Sequence, residues 1–277
     1  MNPIYHAPLQ ALGLDPYSPT LEQELSTTDS GNQRNILGTS VKVEKGEKAN
    51  VLTAVVYLSP ATEAGLSTCP MATPGCSTAC LGHSSGRLAL DSAKRARMAK
   101  TLWFRLYPDS FLARLDVEIA KHARRAERMG KVAAIRMNGS SDIRWEKHGV
   151  PQRHPSVRFY DYTKLPARTR RTRPDNYHLT YSLSEDARSM SLATEWLDAG
   201  GNVAIVVAGP LGTRGGAAKK AAQAILDGGT LHGYPAIDGD ADDVRFYDEP
   251  GSWVVLYAKG SGIHDETGFV QRFAMAS

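Results

Sequence analysis

At 277 residues, 42% of them hydrophobic and 22% charged, the chain is long and apolar enough to bury one large core or two small ones, which excludes wholesale disorder. Its 25 glycines and 15 prolines are near ordinary usage and no repeat period is visible, which excludes a collagen-like or low-complexity chain. Thirty-three Lys and Arg against 29 Asp and Glu leave a net charge of +4, too small by itself to argue for nucleic acid or an anionic membrane as partner.

Residues 1 to 45 mix Pro, Ser, Thr, Asn and Gly with scattered apolar residues, which predicts an irregular arm laid on a single domain spanning 46–277. The first residues, Met1-Asn2-Pro3-Ile4-Tyr5-His6, carry neither the basic nor the apolar region of a secretory signal. The longest apolar runs, 51–58 and 203–208, fall short of the roughly 18 residues a membrane span needs. The expectation is a cytoplasmic chain with no membrane partner.

The β-branched run 51–58 predicts a buried strand, and a Pro- and Gly-punctuated segment with all three cysteines follows it. Helical spacing then appears over 88–106 and 110–129, with Pro108 between the two and Gly130 at the end. Beyond Gly130, short apolar runs each end in a polar cluster. Run 132–137 ends in Asn138 to Asp142, 157–160 in Asp161 to Lys164, and 177–181 in Ser182 to Glu185. Run 203–208 ends in Gly209-Pro210, 234–237 in Asp238-Gly239-Asp240, and 253–258 in Lys259-Gly260-Ser261-Gly262. Helical stretches at 186–199 and 215–227 lie between them. Strands alternating with helices predict an α/β fold with a mostly parallel sheet, a complete or partial β/α barrel ahead of an open doubly wound sheet. The carboxyl ends of barrel strands gather around one cavity, so the site is expected there, with the cysteine loop at the same end.

Cys69, Cys76 and Cys80 stand in a C-x6-C-x3-C spacing. An odd count confined to one loop argues against a disulfide framework, and three thiolates converging on one point are soft ligands for zinc or an iron–sulfur cluster. The plain alternative is three thiols packed as small hydrophobes. A structural zinc site wants a fourth ligand, which His83 would supply. A [4Fe-4S] cluster held by three cysteines keeps one iron open to a small polar molecule, and this is the leading expectation, with zinc as the alternative.

Around that iron, Arg136, Asn138, Ser140, Asp142, Ser182 and Asp238 are candidate ligand-binding residues, and Asp161, Lys164 and Lys259 candidate catalytic ones. Each has a structural alternative. Asn-Gly-Ser-Ser-Asp is ordinary turn and capping chemistry, Asp161 with Lys164 can be a plain ion pair, and Ser182 or Ser184 can open the helix from 186. Asp238, Asp240, Asp242, Asp243 and Asp248 lack the full calcium-loop pattern, so a solvated acidic turn is favoured over a cation site. Lys259-Gly260-Ser261-Gly262 has part of a phosphate-cradling loop. Arg168, Arg170, Arg171 and Arg173 form a basic run suited to nucleic-acid phosphates, although a solvated loop is the commoner role of such a run.

The order of strand, three-cysteine loop, helix and β/α units resembles the radical S-adenosylmethionine enzymes, which implies a cluster with an open iron and S-adenosylmethionine as its ligand. That superfamily's loop is C-x3-C-x2-C, and both gaps are wider here. From about residue 36 onward the chain also resembles a bacteriophage family named after gene product 88. The resemblance is carried by the cysteine loop to Gly86-Arg87, Arg136 to Ile143, Phe159 to Lys164, and Ile237-Asp238-Gly239-Asp240. It implies a phage or prophage source, hence the host cytoplasm, and no particular reaction. The leading expectation is therefore a phage-type iron–sulfur protein with redox or radical chemistry on a small polar ligand. The alternative is a zinc-stabilised nucleic-acid-binding or phage accessory protein.

Overall fold

A computed structural model of the chain describes residues 1–39, 50–84, 86–166, 173–213 and 216–274. The N-terminal stretch is less irregular than expected. After a 3-10 turn, Pro3–Tyr5, it forms helices α1 (His6–Ala11) and α2 (Leu21–Ser26) and a short strand, β1 (Leu37–Gly38). Six residues are too few to display a helical period, yet Leu9, Leu21, Leu25 and Ile36 are fully buried in the main core.

Strand β2 (Val51–Val56) leads into α3 (Pro74–Thr78) and α4 (Leu81–Ser84) of the cysteine segment, followed by the long helices α5 (Asp91–Leu106) and α6 (Pro108–Arg128). Pro108 occupies the first turn of α6, where its missing amide costs nothing, so the helix starts before the expected position 110. Then come β3 (Val132–Arg136), α7 (Val150–Arg153), β4 (Arg158–Thr163), β5 (Tyr177–Ser182), α8 (Ser189–Asp198) and β6 (Val203–Ala208). Helix α9 (Ala217–Asp227) and strands β7 (Thr230–Leu231), β8 (Tyr234–Asp238), β9 (Trp253–Tyr257) and β10 (Gln271–Arg272) complete the order.

The strands form one ten-stranded sheet in the order β1-β2-β3-β4-β5-β6-β9-β8-β7, with β10 beside β6. Pairs β1·β2 and β7·β8 are antiparallel and all others parallel. The fold is therefore mixed α/β around a mostly parallel sheet, and among the described residues the hydrogen-bonded path does not close on itself. No described helix is long and apolar enough to cross a membrane.

The register separates two faces. Leu52, Ile135, Phe159, Leu179, Val203, Ile205 and Val255 point to one side, where α5, α6, α8 and α9 bury their apolar stripes against them. The other face at β3 to β5 carries Arg136, Tyr160, Tyr162, His178 and Thr180. The segment after β8 lies across it: Asp243 pairs with Arg136 at 3.0 Å and accepts from the Tyr160 hydroxyl at 3.2 Å. Burial opposes the Arg136 charge, but Asp243 outweighs it, followed by smaller contributions from Tyr162 and Tyr160, so the guanidinium pKa is raised.

On the helix-packed face, the turn after β3 is built on a buried carboxylate. Asp161 accepts from the Asn138 backbone N–H at 2.6 Å, from its side-chain amide at 2.9 Å and from the Tyr177 hydroxyl. The Asn138 side-chain oxygen in turn accepts from Ser141 Oγ, Ile143 N and Trp145 Nε1 at 2.8, 2.9 and 3.1 Å. Every hydrogen-bonding atom of the Asn138 amide is thus engaged, which fixes where residues 139–143 go.

Two predictions follow from this packing. Asp161→Ala strands three buried donors and should cost about 3 kcal/mol or more of unfolding free energy in denaturant titration; a loss under about 1 kcal/mol would refute the hub. His178 is held to a pKa of about 4 by burial first, then by Arg173 and Arg245. Its unfolded pKa is near 6.5, so the unfolded chain takes the proton first. Stability should be full above pH 6.5 and fall by about 3 kcal/mol as the pH drops towards 4. His178→Gln should flatten that part of the pH profile.

Candidate functional site

All parallel strands end on the same edge of the sheet, and the cysteine segment, leaving β2, lies there. Cys69 Sγ accepts from Ala61 N at 3.4 Å and stands 3.8 Å from both Thr68 Oγ1 and the Ser140 carbonyl. Cys76 sits in α3, whose cap is Thr73: its Oγ1 accepts from Cys76 N at 3.3 Å. That cap is held from the other half of the chain, because Glu185 accepts from Thr73 Oγ1 at 2.8 Å and from Gly75 N at 2.6 Å. A Cβ on Gly75 would stand 2.0 Å from Thr267 Oγ1 and 2.8 Å from Phe269 Cβ, so only glycine fits. Cys80 Sγ lies 3.3 Å, and Ser140 Cβ 3.2 Å, from where a Cβ on Gly82 would be.

The three thiols are half-buried and feel one another electrostatically. Burial raises the Cys69 pKa, opposed by the hydrogen bonds from Ala61 and Thr68, while Asp142 and Cys76 raise it further. Burial likewise raises that of Cys80, as do Cys76 and Cys69, against a backbone hydrogen bond from Gly82 and the nearby Lys164 ammonium. Among the described residues no group of three or more His, Cys, Asp or Glu is placed to hold a metal ion. The cysteines are therefore neighbours on one loop rather than a closed ligand set. His83 is exposed, with Nδ1 3.9 Å from Glu63 Oε1.

Four of the polar residues singled out in the sequence reach this loop or its immediate neighbours. Ser140 Oγ donates to the Leu58 carbonyl at 2.5 Å, and Asp142 N donates to the Thr68 carbonyl at 2.8 Å. The Asp142 carboxylate accepts from Thr163 Oγ1 and Lys164 N, both at 2.9 Å. Lys164 Nζ donates to Ser182 Oγ at 3.0 Å and lies 5.2 Å from the Phe269 ring centre. Ser182 therefore does not open a helix; α8 begins at Ser189, whose Oγ accepts from Ser184 N at 2.9 Å.

The remaining candidates go elsewhere. Asn138 and Asp161 are buried together on the helix-packed side, and Arg136 is on the opposite face with Asp243. Lys259 Nζ meets Asp240 at 2.5 Å, and exposed Asp238 accepts from Asp240 N at 2.8 Å. The other carboxylates of this acidic stretch are also engaged: Asp242 with Val244 N and Arg245, Asp248 with Arg245. Arg168, Arg170 and Arg171 lie outside the described residues, and the Arg173 guanidinium sits 5.3 Å from the Trp196 ring centre.

Sequence reasoning missed Glu185 as the anchor of the cysteine loop and Arg245 as a fully buried guanidinium. Neither had a local signal, since Glu185 acts on residues more than a hundred positions away and Arg245 sits in an acidic stretch that reads as solvated.

No curated protein and no solved structure matches the chain. Nothing in the comparisons supports the resemblance to radical S-adenosylmethionine enzymes. The family described as Gene product 88 matches residues 27–272, a span that includes the cysteine loop, the Asn138 turn and every parallel strand, and the chain belongs to that family.

Proposed function

We propose that this protein is a phage-family iron–sulfur protein in which Cys69, Cys76 and Cys80 hold a [4Fe-4S] cluster, leaving one iron open to a small polar molecule. The observation that carries the reading is the grouping of three half-buried, mutually interacting thiols on one loop at the carboxyl edge of a parallel sheet. The donor set fits, because thiolate sulfur is the ligand such clusters take. Binding requires the thiols to lose their protons and the loop to draw them together. Ala61 N–H and Thr68 Oγ1 beside Cys69, and Lys164 near Cys80, stabilise the thiolate forms. Glu185 sets where α3 presents Cys76.

When bound, the cluster supplies one-electron exchange and a Lewis-acidic iron. Lys164, steered by Ser182, is the cation placed to orient a polar ligand beside it. The same reading takes the sheet as a partial β/α barrel with the thiols at its mouth. A helix layer on one face, rather than on both as in a doubly wound sheet, supports that architecture.

Metal and acid-labile sulfide analysis with a visible spectrum, on protein purified without oxygen, tests the proposal. About four iron and four sulfide per chain with a broad band near 400 nm are expected. Each Cys→Ser substitution should abolish the band, and His83→Ala should leave it intact. One zinc per chain without colour, or no metal after anaerobic reconstitution, would overturn the reading. Glu185→Gln should weaken metal retention by about tenfold or more, as loss of an outer-shell support does.

A further inference from the structure

The ends of β6 and β9 enclose a cavity of about 510 Å³ that the cluster reading does not use. Its position is singular in the sheet. The chain leaves β6 through α9 to β8, skipping one place, and later returns to fill that place with β9. Strand order thus reverses at the β6–β9 crevice, and such a reversal opens a ligand crevice outside the carboxyl ends of the strands.

Three properties of the cavity restrict what it takes. Its walls are small: Ala208, Ala258, Ala217 and Ala218 leave a flat-sided slot suited to a planar ring. Two glycine-bearing loops from neighbouring strands line it, through Gly209 and Gly216 after β6 and Gly260 after β9. Small loop residues let a ligand approach the backbone closely. Lys219, Lys259, His264 and Arg272 also line it, and no lining residue is an Asp or Glu.

The cationic side is partly built in advance. Arg272 is locked by the carbonyls of Gly209, Ile263 and Asp265 at 3.2, 3.0 and 2.6 Å, while its Nε is buried without a hydrogen-bond partner. Lys259 is fixed by Asp240 and lies 4.3 Å from the Tyr257 ring centre. An excess of fixed positive charge at one side of an apolar slot favours a ligand with a planar body and an anionic end.

We propose that the β6–β9 cavity binds a nucleotide, its base in the alanine-walled slot and its phosphate against the glycine loops and the Lys219, Lys259 and Arg272 cations. The volume is within the usual range for small-molecule sites, about 300–1,000 Å³. The site contains none of the three cysteines, although Ala208, Ala218 and Ala258 pack in one apolar cluster with Cys76 and Ala79. A nucleotide held there would stand next to the cysteine loop.

Isothermal titration of the full chain with ADP, inorganic phosphate and adenosine as separate probes tests this. ADP should bind, and each half-ligand should bind at least about tenfold more weakly, a difference of about 1.4 kcal/mol. Lys219→Glu, on an exposed helix position, should weaken ADP about tenfold, and Ala218→Leu should obstruct the slot, with unchanged far-UV circular dichroism confirming that both variants fold. The Cys69, Cys76 and Cys80 triple Ser variant should still bind ADP, so failure of the cluster reading leaves this result standing. Absence of ADP binding, phosphate binding as tightly as ADP, or ADP affinity unchanged in both cavity variants would each overturn the proposal.

Discussion

The carboxyl edge of the sheet depends on the contact between Asp161 and Asn138. A carboxylate with no exposure to solvent is stable only where donors surround it, and Asn138 supplies two of them while Tyr177 supplies a third. Because the same amide also binds Ile143 at both its N–H and its carbonyl, the turn from 138 to 143 has one conformation. That turn delivers Ser140 to the carbonyl of Leu58 and Asp142 to Thr68 on one side and to Lys164 on the other. Three loops that leave three different strands are thereby tied to one another beneath the cysteines.

The sheet has two unlike faces, and their difference organises the molecule. One face is covered by helices and its energetics are those of apolar burial, with Leu52, Ile135, Phe159 and Ile205 against the stripes of four helices. The other is polar around β3 to β5 and is covered by the chain segment that carries Asp243 and Arg245. Arg136 and Asp243 cross between strand and segment, and their charges hold each other out of bulk water. Thr53 Oγ1, Tyr162 Oη and Thr180 Oγ1 are buried on this side without hydrogen-bond partners among the described residues. The polar face is thus the less fully satisfied of the two.

The cysteine loop has little regular structure of its own, and its shape comes from contacts distant in sequence. Glu185 grips Thr73 and Gly75 at the start of α3, and Thr267 and Phe269 leave no room for a side chain at position 75. Ser261 Oγ reaches the Thr78 carbonyl at 2.7 Å from the loop after β9. The thiols and the neighbouring β6–β9 cavity therefore share walls, so an occupant of one bears on the packing of the other.

Strand and helix periodicity, proline and glycine punctuation, and the clustering of cysteines are local properties of neighbouring residues. From them the sequence by itself determined the α/β class, the parallel strands, the long helices near 91–106 and 108–128, and the presence of polar clusters after the strands. The two short N-terminal helices escaped because six residues are too few to show a period, although burial of Leu9, Leu21 and Leu25 makes them part of the core. Which polar residues stay available at the site was not legible, since it depends on strand register. Alternation along β4 turns Asp161 to the helix side and Tyr160 and Tyr162 to the other, and Arg136 finds its partner 107 residues away. Only the tertiary structure decided that Asn138 and Asp161 serve the fold, that Lys164 and Ser182 meet near the thiols, and that β9 enters beside β6, because these outcomes are set by pairing between segments far apart in the chain.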